Sequence, residues 1–221
     1  VIMRFFLFLL LVIASFCVTS CSSNDAYEEP IADMHELNLD LLGDDLHTET
    51  IDGIEWKYVY CDGGIEILRA DLKGDIKIPS EFDSLPVIAI GNHAFAHCGD
   101  LTSIEIPSSV KKIGDDAFRD CYSLKSIEIP FNVSSIGNLT FSRCESLTSV
   151  NIPSSVTSIG DRAFRCCSGL KSIEIPESVI FIGYRAFSYC DRLTKISLPK
   201  KFVNEVENLG LDDDVEIIVI D

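Results

Sequence analysis

Five segments of this chain return in phase every 23 residues, and that period constrains the fold more than any other feature. Leu101-Thr-Ser-Ile-Glu-Ile-Pro107 reappears as Leu124-Lys-Ser-Ile-Glu-Ile-Pro130, Leu147-Thr-Ser-Val-Asn-Ile-Pro153, Leu170-Lys-Ser-Ile-Glu-Ile-Pro176 and Leu193-Thr-Lys-Ile-Ser-Leu-Pro199. Each full copy continues Val-x-x-Ile-Gly-x-x-Ala-Phe-x-x-Cys, with Thr140 at one Ala position. An earlier copy ends in Ile90-Gly91-Asn-His-Ala94-Phe95-Ala-His-Cys98, and its strand, Ile76-Lys-Ile78-Pro79, lies further upstream than the period requires. Residues 73–100 therefore read as a first repeat with an insertion around Glu81 to Pro86. A unit of this length cannot bury an apolar face alone, so stacked copies imply a solenoid.

The columns of the repeat assign a task to each position. Ile104 and Ile106 alternate with Ser103 and Glu105, the period of a half-buried strand. Pro107 and its equivalents lack the amide that would extend a ladder, so the strand stops there. Gly114 marks a bend where positive φ is expected. Ala117, Phe118 and Cys121 fit one turn of tight helix carrying Phe inward. Stacking like on like predicts an internal column of Phe95, Phe118, Phe141, Phe164 and Phe187. At a strand spacing of ~4.8 Å, six coils extend about 25–30 Å.

Charge separates the ends from the middle. The formal net charge is −17. Residues 22–57 contribute 11 acids and one Lys, and residues 202–221 seven acids and no base, whereas residues 58–201 are almost balanced. Such a balance excludes nucleic acid as a partner, because phosphate binding needs a basic face.

The N-terminal segment reads as an address. Phe5 to Val18 runs without a charge, too short for a membrane span of ~20 residues and suited to a signal-peptide apolar region. Val18-Thr-Ser-Cys21 then places small residues before a Cys, which resembles the lipobox of bacterial lipoproteins. That resemblance implies cleavage before Cys21 and its acylation, with the membrane contacted through the lipid anchor only.

The repeat resembles the BspA-like leucine-rich repeat, a 23-residue class of bacterial surface proteins. The resemblance covers residues 73–202 and implies a leucine-rich-repeat solenoid of parallel β coils with short helical turns. Trp56-Lys-Tyr-Val-Tyr60 and Ile65-Glu-Ile-Leu68 around Asp62-Gly63-Gly64 predict an N-terminal β-hairpin cap. Residues 203–210 read as helix and Val215 to Ile220 as a strand, giving a C-terminal helix/strand cap. The expected organisation is signal peptide 1–20, lipidated acidic tether 21–50, hairpin cap 51–72, repeats 73–202 and C-terminal cap 203–221.

No nucleophile triad or phosphate loop is evident, so the expected role is binding rather than catalysis, with no cofactor. Cys98, Cys121, Cys144, Cys167 and Cys190 recur as an inward column of five and read as buried thiols. Cys166 faces the opposite way and is expected to be exposed. His93 and His97, four apart beside Cys98, have a superficial likeness to zinc ligands, but Cys98 belongs to the inward column, so no metal site is expected. Glu105, Glu128, Asn151 and Glu174 form a stripe on the outer strand face, either a solvated face that blunts aggregation or a ligand-reading one. Ile180, Phe181, Tyr184 and Tyr189 replace polar residues in one coil and are the candidate binding cluster. The competing account has the helix at 203–210 fold back and cover them. The resemblance implies a lipid-anchored protein on the bacterial outer membrane, at the cell surface, binding a protein or glycan of a host or neighbouring cell. The alternative is a periplasm-facing structural or scaffold lipoprotein without an external ligand.

Overall fold

The computed structural model describes residues 39–220. Cys21, the signal segment and most of the tether lie outside the described residues. From Asp44 onward the chain forms one compact unit, a solenoid of parallel β coils.

A three-stranded antiparallel meander opens it: β1 (His47–Ile51), β2 (Ile54–Cys61) and β3 (Gly64–Arg69). The first coil holds β4 (Gly74–Lys77), β5 (Glu81–Phe82) and β6 (Leu85–Ile90), with β5 and β6 forming a small hairpin across the expected insertion. Asp83 and Ser84 both take positive φ in its two-residue turn. Each later coil contributes one strand to each of two faces. On the first face lie β7 (Leu101–Glu105), β9 (Ser126–Glu128), β11 (Ser149–Asn151), β13 (Ser172–Glu174) and β15 (Lys195–Pro199). On the second lie β8 (Lys112–Ile113), β10 (Ser135–Ile136), β12 (Ser158–Ile159) and β14 (Phe181–Ile182). A 3-10 helix, Lys200–Asn208, replaces the next strand of the second face, and β16 (Glu216–Ile220) closes onto β15. The second-face sheet runs β1-β2-β3-β6-β8-β10-β12-β14, so β14 is its terminal strand.

Register follows the period: Ile104 pairs with Ile127, Val150 with Ile127, and Ile136 with Ile113 and Ile159. The Phe column is fully buried, with ring centroids 5.4–5.6 Å apart from Phe95 through Phe187. Trp56 stops the column at its N-terminal end, edge-on to Phe95 at 6.3 Å, and Leu209 is buried at the C-terminal end, its carbonyl accepting from Phe187 N–H.

Three local expectations change. The Ala-Phe segment is a run of turns rather than helix. Each copy holds two left-handed non-Gly residues four apart, in the columns His93, Asp116, Leu139, Arg162, Arg185 and His97, Asp120, Arg143, Cys166, Tyr189. The first column is held because each N–H donates to the next coil: His93 to Asp115 O, Asp116 to Asn138 O, Leu139 to Asp161 O. Gly114 and its equivalents keep ordinary φ. They are Gly because a Cβ at Gly114 would lie 2.6 Å from Asn92 N, inside the neighbouring coil. Cys166 is buried, not exposed: its N–H donates to Ser188 O of the next coil, coils flank it on both sides, and its short side chain stays covered where His97, Arg143 and Tyr189 of the same column reach solvent.

Candidate functional site

The sequence-singled residues fall on separate surfaces. Ile180 N–H donates to Thr157 O at 2.7 Å and Gly183 N–H to Ile159 O at 2.8 Å, which fixes the short β14 against β12. With Ile182 inward, alternation turns Phe181 outward. Ile180 is 73% exposed, Phe181 54% and Tyr184 50%. The helix Lys200–Asn208 leaves them uncovered. It turns Phe202 into the core instead, so cap burial does not account for the cluster. The Arg185 guanidinium stands 5.2 Å from the Tyr184 ring centre, and the Arg165 guanidinium 5.2 Å from that of Tyr189. Tyr189 is only half-exposed, so the open part of the cluster is Ile180, Phe181 and Tyr184 with arginine beside it.

Glu105, Glu128, Asn151 and Glu174 are all exposed on the first strand face. Lys77 Nζ meets Glu105 Oε1 at 2.7 Å, and an open depression here is lined by Asp75, Lys77, Ser103, Ser126 and Glu128 among others. The Ser103 and Thr102 hydroxyls each donate to Asp75 Oδ1 at 2.7 Å, and these bonds hold its carboxyl below the usual carboxylate range.

His93 and His97 meet carboxylates rather than each other. His93 Nδ1 lies 4.0 Å from Asp116 Oδ2, and His97 Nδ1 3.1 Å from Asp120 Oδ2. Asp120 is buried, and burial raises its carboxyl. The His97 hydrogen bond and the charges of Arg119 and Arg143 outweigh this and hold it below its ordinary value. Arg143 Nε approaches Asp120 Oδ1 at 3.0 Å. This charged cluster was missed in the sequence, although Asp116 and Asp120 stand one period after His93 and His97 and so had to stack on them.

The Cys column has its own bonding. Cys121, Cys144, Cys167 and Cys190 each donate S–H to a Phe carbonyl 26 residues earlier, at 3.1–3.3 Å, and Cys98 donates to Ala70 O at 3.5 Å. Burial pushes these thiols up, Cys190 to about 12, so they are inert packing groups. A second ladder follows each Gly: Asn92, Asp115, Asn138 and Asp161 accept from the backbone N–H of Asp115, Asn138, Asp161 and Tyr184 at 2.7–3.0 Å.

The model of the BspA type leucine rich repeat region matches residues 88–209 in six copies. The chain belongs to the BspA-type leucine-rich repeat family. Two solved structures agree with that membership. A leucine-rich repeat protein from Bacteroides ovatus is 33% identical over 68% of this chain, with a TM-score of 0.60, and the match spans 47% of that protein. The leucine-rich repeat protein of T. pallidum is 29% identical over 80% of this chain and 84% of its own, with a TM-score of 0.61. No curated protein matches the chain significantly. In this BspA-type array the matched copies run from β6 through the helix Lys200–Asn208, while the meander and β16 lie outside them.

Proposed function

We propose that this chain is a lipid-anchored, non-enzymatic protein of the bacterial outer membrane surface, and that it binds a protein or glycan of a host or neighbouring cell. The observation that carries this reading is the exposure of Ile180, Phe181 and Tyr184 on one coil. The matching positions elsewhere are Lys111 and Lys112, Ser134 and Ser135, Thr157 and Ser158, with Asp115, Asn138 and Asp161 at the Tyr184 position. Aromatic side chains beside arginine form the core of many protein interfaces, and a tyrosine face also suits the apolar side of a sugar. Repeat-family membership and the lipobox-like Cys21 support the surface role.

The test is a Phe181→Ser, Tyr184→Asp double variant. It should keep the melting temperature within a few degrees and lose capture of its partner from host or neighbouring cells. Capture retained by the folded variant contradicts the assignment. The anchor has a separate check: Cys21→Ala should shed the protein from membranes and abolish acyl labelling. Protection from protease on intact cells would favour the periplasm-facing scaffold instead.

A further inference from the structure

The first and last strands of the described solenoid are covered differently. At the N-terminal end, the antiparallel meander covers the first coil and buries Trp56 against Phe82 and Phe95. At the C-terminal end, β16 pairs with β15 in parallel over five residues, placing Ile217 opposite Ile196 and Val219 opposite Leu198. Ile196 and Leu198 belong to the fully buried core columns, so Ile217 and Val219 occupy core positions of a further coil. They are 37% and 47% exposed, because a coil covers them on one side only. β16 is the terminal strand of its sheet, and among the described residues no strand pairs with its outer edge. Natural edges are usually guarded by Lys, Pro or a bulge, whereas this one reads Glu-Ile-Ile-Val-Ile. An unguarded apolar edge is a template for strand addition.

Charge selects the occupant. Residues 202–221 carry seven acids and no Lys or Arg, and Asp212, Asp213, Asp214 and Glu216 are exposed beside the edge. Two copies joined through this edge would bring together two segments that each carry seven acids and no Lys or Arg. The edge strand at the other end is no better, since residues 47–56 carry Glu49, Asp52 and Glu55 without a base. We propose that the outer edge of β16 docks an extended basic segment of a partner protein as an added strand. Its alternate apolar side chains lie over Ile217 and Val219, and its Lys or Arg residues meet Asp212 to Asp214 and Glu216. This surface is separate from the Phe181 cluster and does not depend on the function assigned to that cluster.

The probe is a blocked synthetic peptide of alternating Lys and Val, added to the full chain and read by hydrogen exchange. Amides of Ile217 and Val219, which point away from β15, should slow at least tenfold. The protection should fall with salt, disappear for a peptide carrying Pro in place of alternate Val, and weaken strongly in a folded Asp212→Asn, Asp213→Asn, Asp214→Asn variant. Phe181→Ser should leave it unchanged. Equal protection by an alternating Glu and Val peptide, protection confined to other segments, or a dimer of the chain alone with these amides already protected would each overturn the proposal.

Discussion

At the residue scale, the repeat is set by how closely neighbouring coils approach. A Cβ on Gly160 would stand 2.6 Å from Asn138 N and 2.7 Å from Gly137 C, backbone atoms that cannot retreat without moving the coil beneath. Gly160→Ala should therefore cost about 1–3 kcal/mol, as overpacked interiors do, seen as a lower urea midpoint at unchanged slope. Gly99→Ala is the control: its Cβ would meet only the edge of the Tyr122 ring, Cδ2 at 3.3 Å and Cε2 at 3.9 Å, so stability should shift by less than about 1 kcal/mol. The recurrence of Gly was plain in the sequence, but its reason was not. A periodic Gly fits positive φ and close approach equally well, and only the stacked backbone distinguishes them. Cys166 misled for a related reason, since only the flanking coils keep so short a side chain covered. The thiols give a second check. Native-state alkylation followed by mass spectrometry should label Cys61, which is half-buried, and spare the other six described cysteines. Rapid labelling of Cys166 or Cys144 would contradict their packing.

At the element scale, each turn is tied to the next by side chains as well as backbone. Asp161 Oδ1 accepts from Tyr184 N–H at 2.7 Å, so Asp161→Ala should leave that amide poorly satisfied and cost about 1 kcal/mol. The residue at 184 has no such duty, because the position 23 residues on, Glu207, lies in the helix Lys200–Asn208 and not in a further repeat turn. Tyr184→Asn should thus be close to neutral for stability, and equal losses in both variants would contradict the ladder. This also explains how an aromatic is tolerated at 184 while the preceding coils keep Asn or Asp. The His93 turn carries a pH dependence. Burial holds its imidazole below the ordinary histidine range, against the opposing pull of Asp116. The unfolded chain then takes up the proton first, so this contribution is complete above about pH 6.5 and is lost as pH falls toward the folded value. Between pH 7 and 6, urea midpoints should fall more in the native chain than in His93→Gln. The charged cluster was legible only to a reading that stacked every column, polar ones included. Apolar columns drew attention because they recur, whereas His93, Asp116, Leu139, Arg162 and Arg185 share a position without sharing chemistry.

At the scale of the whole molecule, the array and its caps were legible to different degrees. The period alone determined the coil phase, the Phe column and a strand before each Pro, although β7, β9, β11 and β13 end two residues short of it. The caps were harder, because they do not repeat. β1 pairs with β2 from His47 although its sequence, His-Thr-Glu-Thr-Ile, has little apolar content, and Trp56 plugs a column that the sequence shows only as phenylalanines. The sequence predicts a helix over 203–210, whereas the structure has a 3-10 helix at Lys200–Asn208 whose amphipathic face carries Phe202 into the core and leaves the side of the 170–192 coil open. That open side carries Ile180, Phe181 and Tyr184, and the proposed binding role rests on their exposure. The most direct test is hydroxyl-radical footprinting of the chain, free and in complex with the partner captured from cells. Phe181 and Tyr184 should lose most of their reactivity on binding, while Phe131, exposed on an earlier coil, keeps its own. Protection of Phe131 with Phe181 and Tyr184 unchanged would contradict the account.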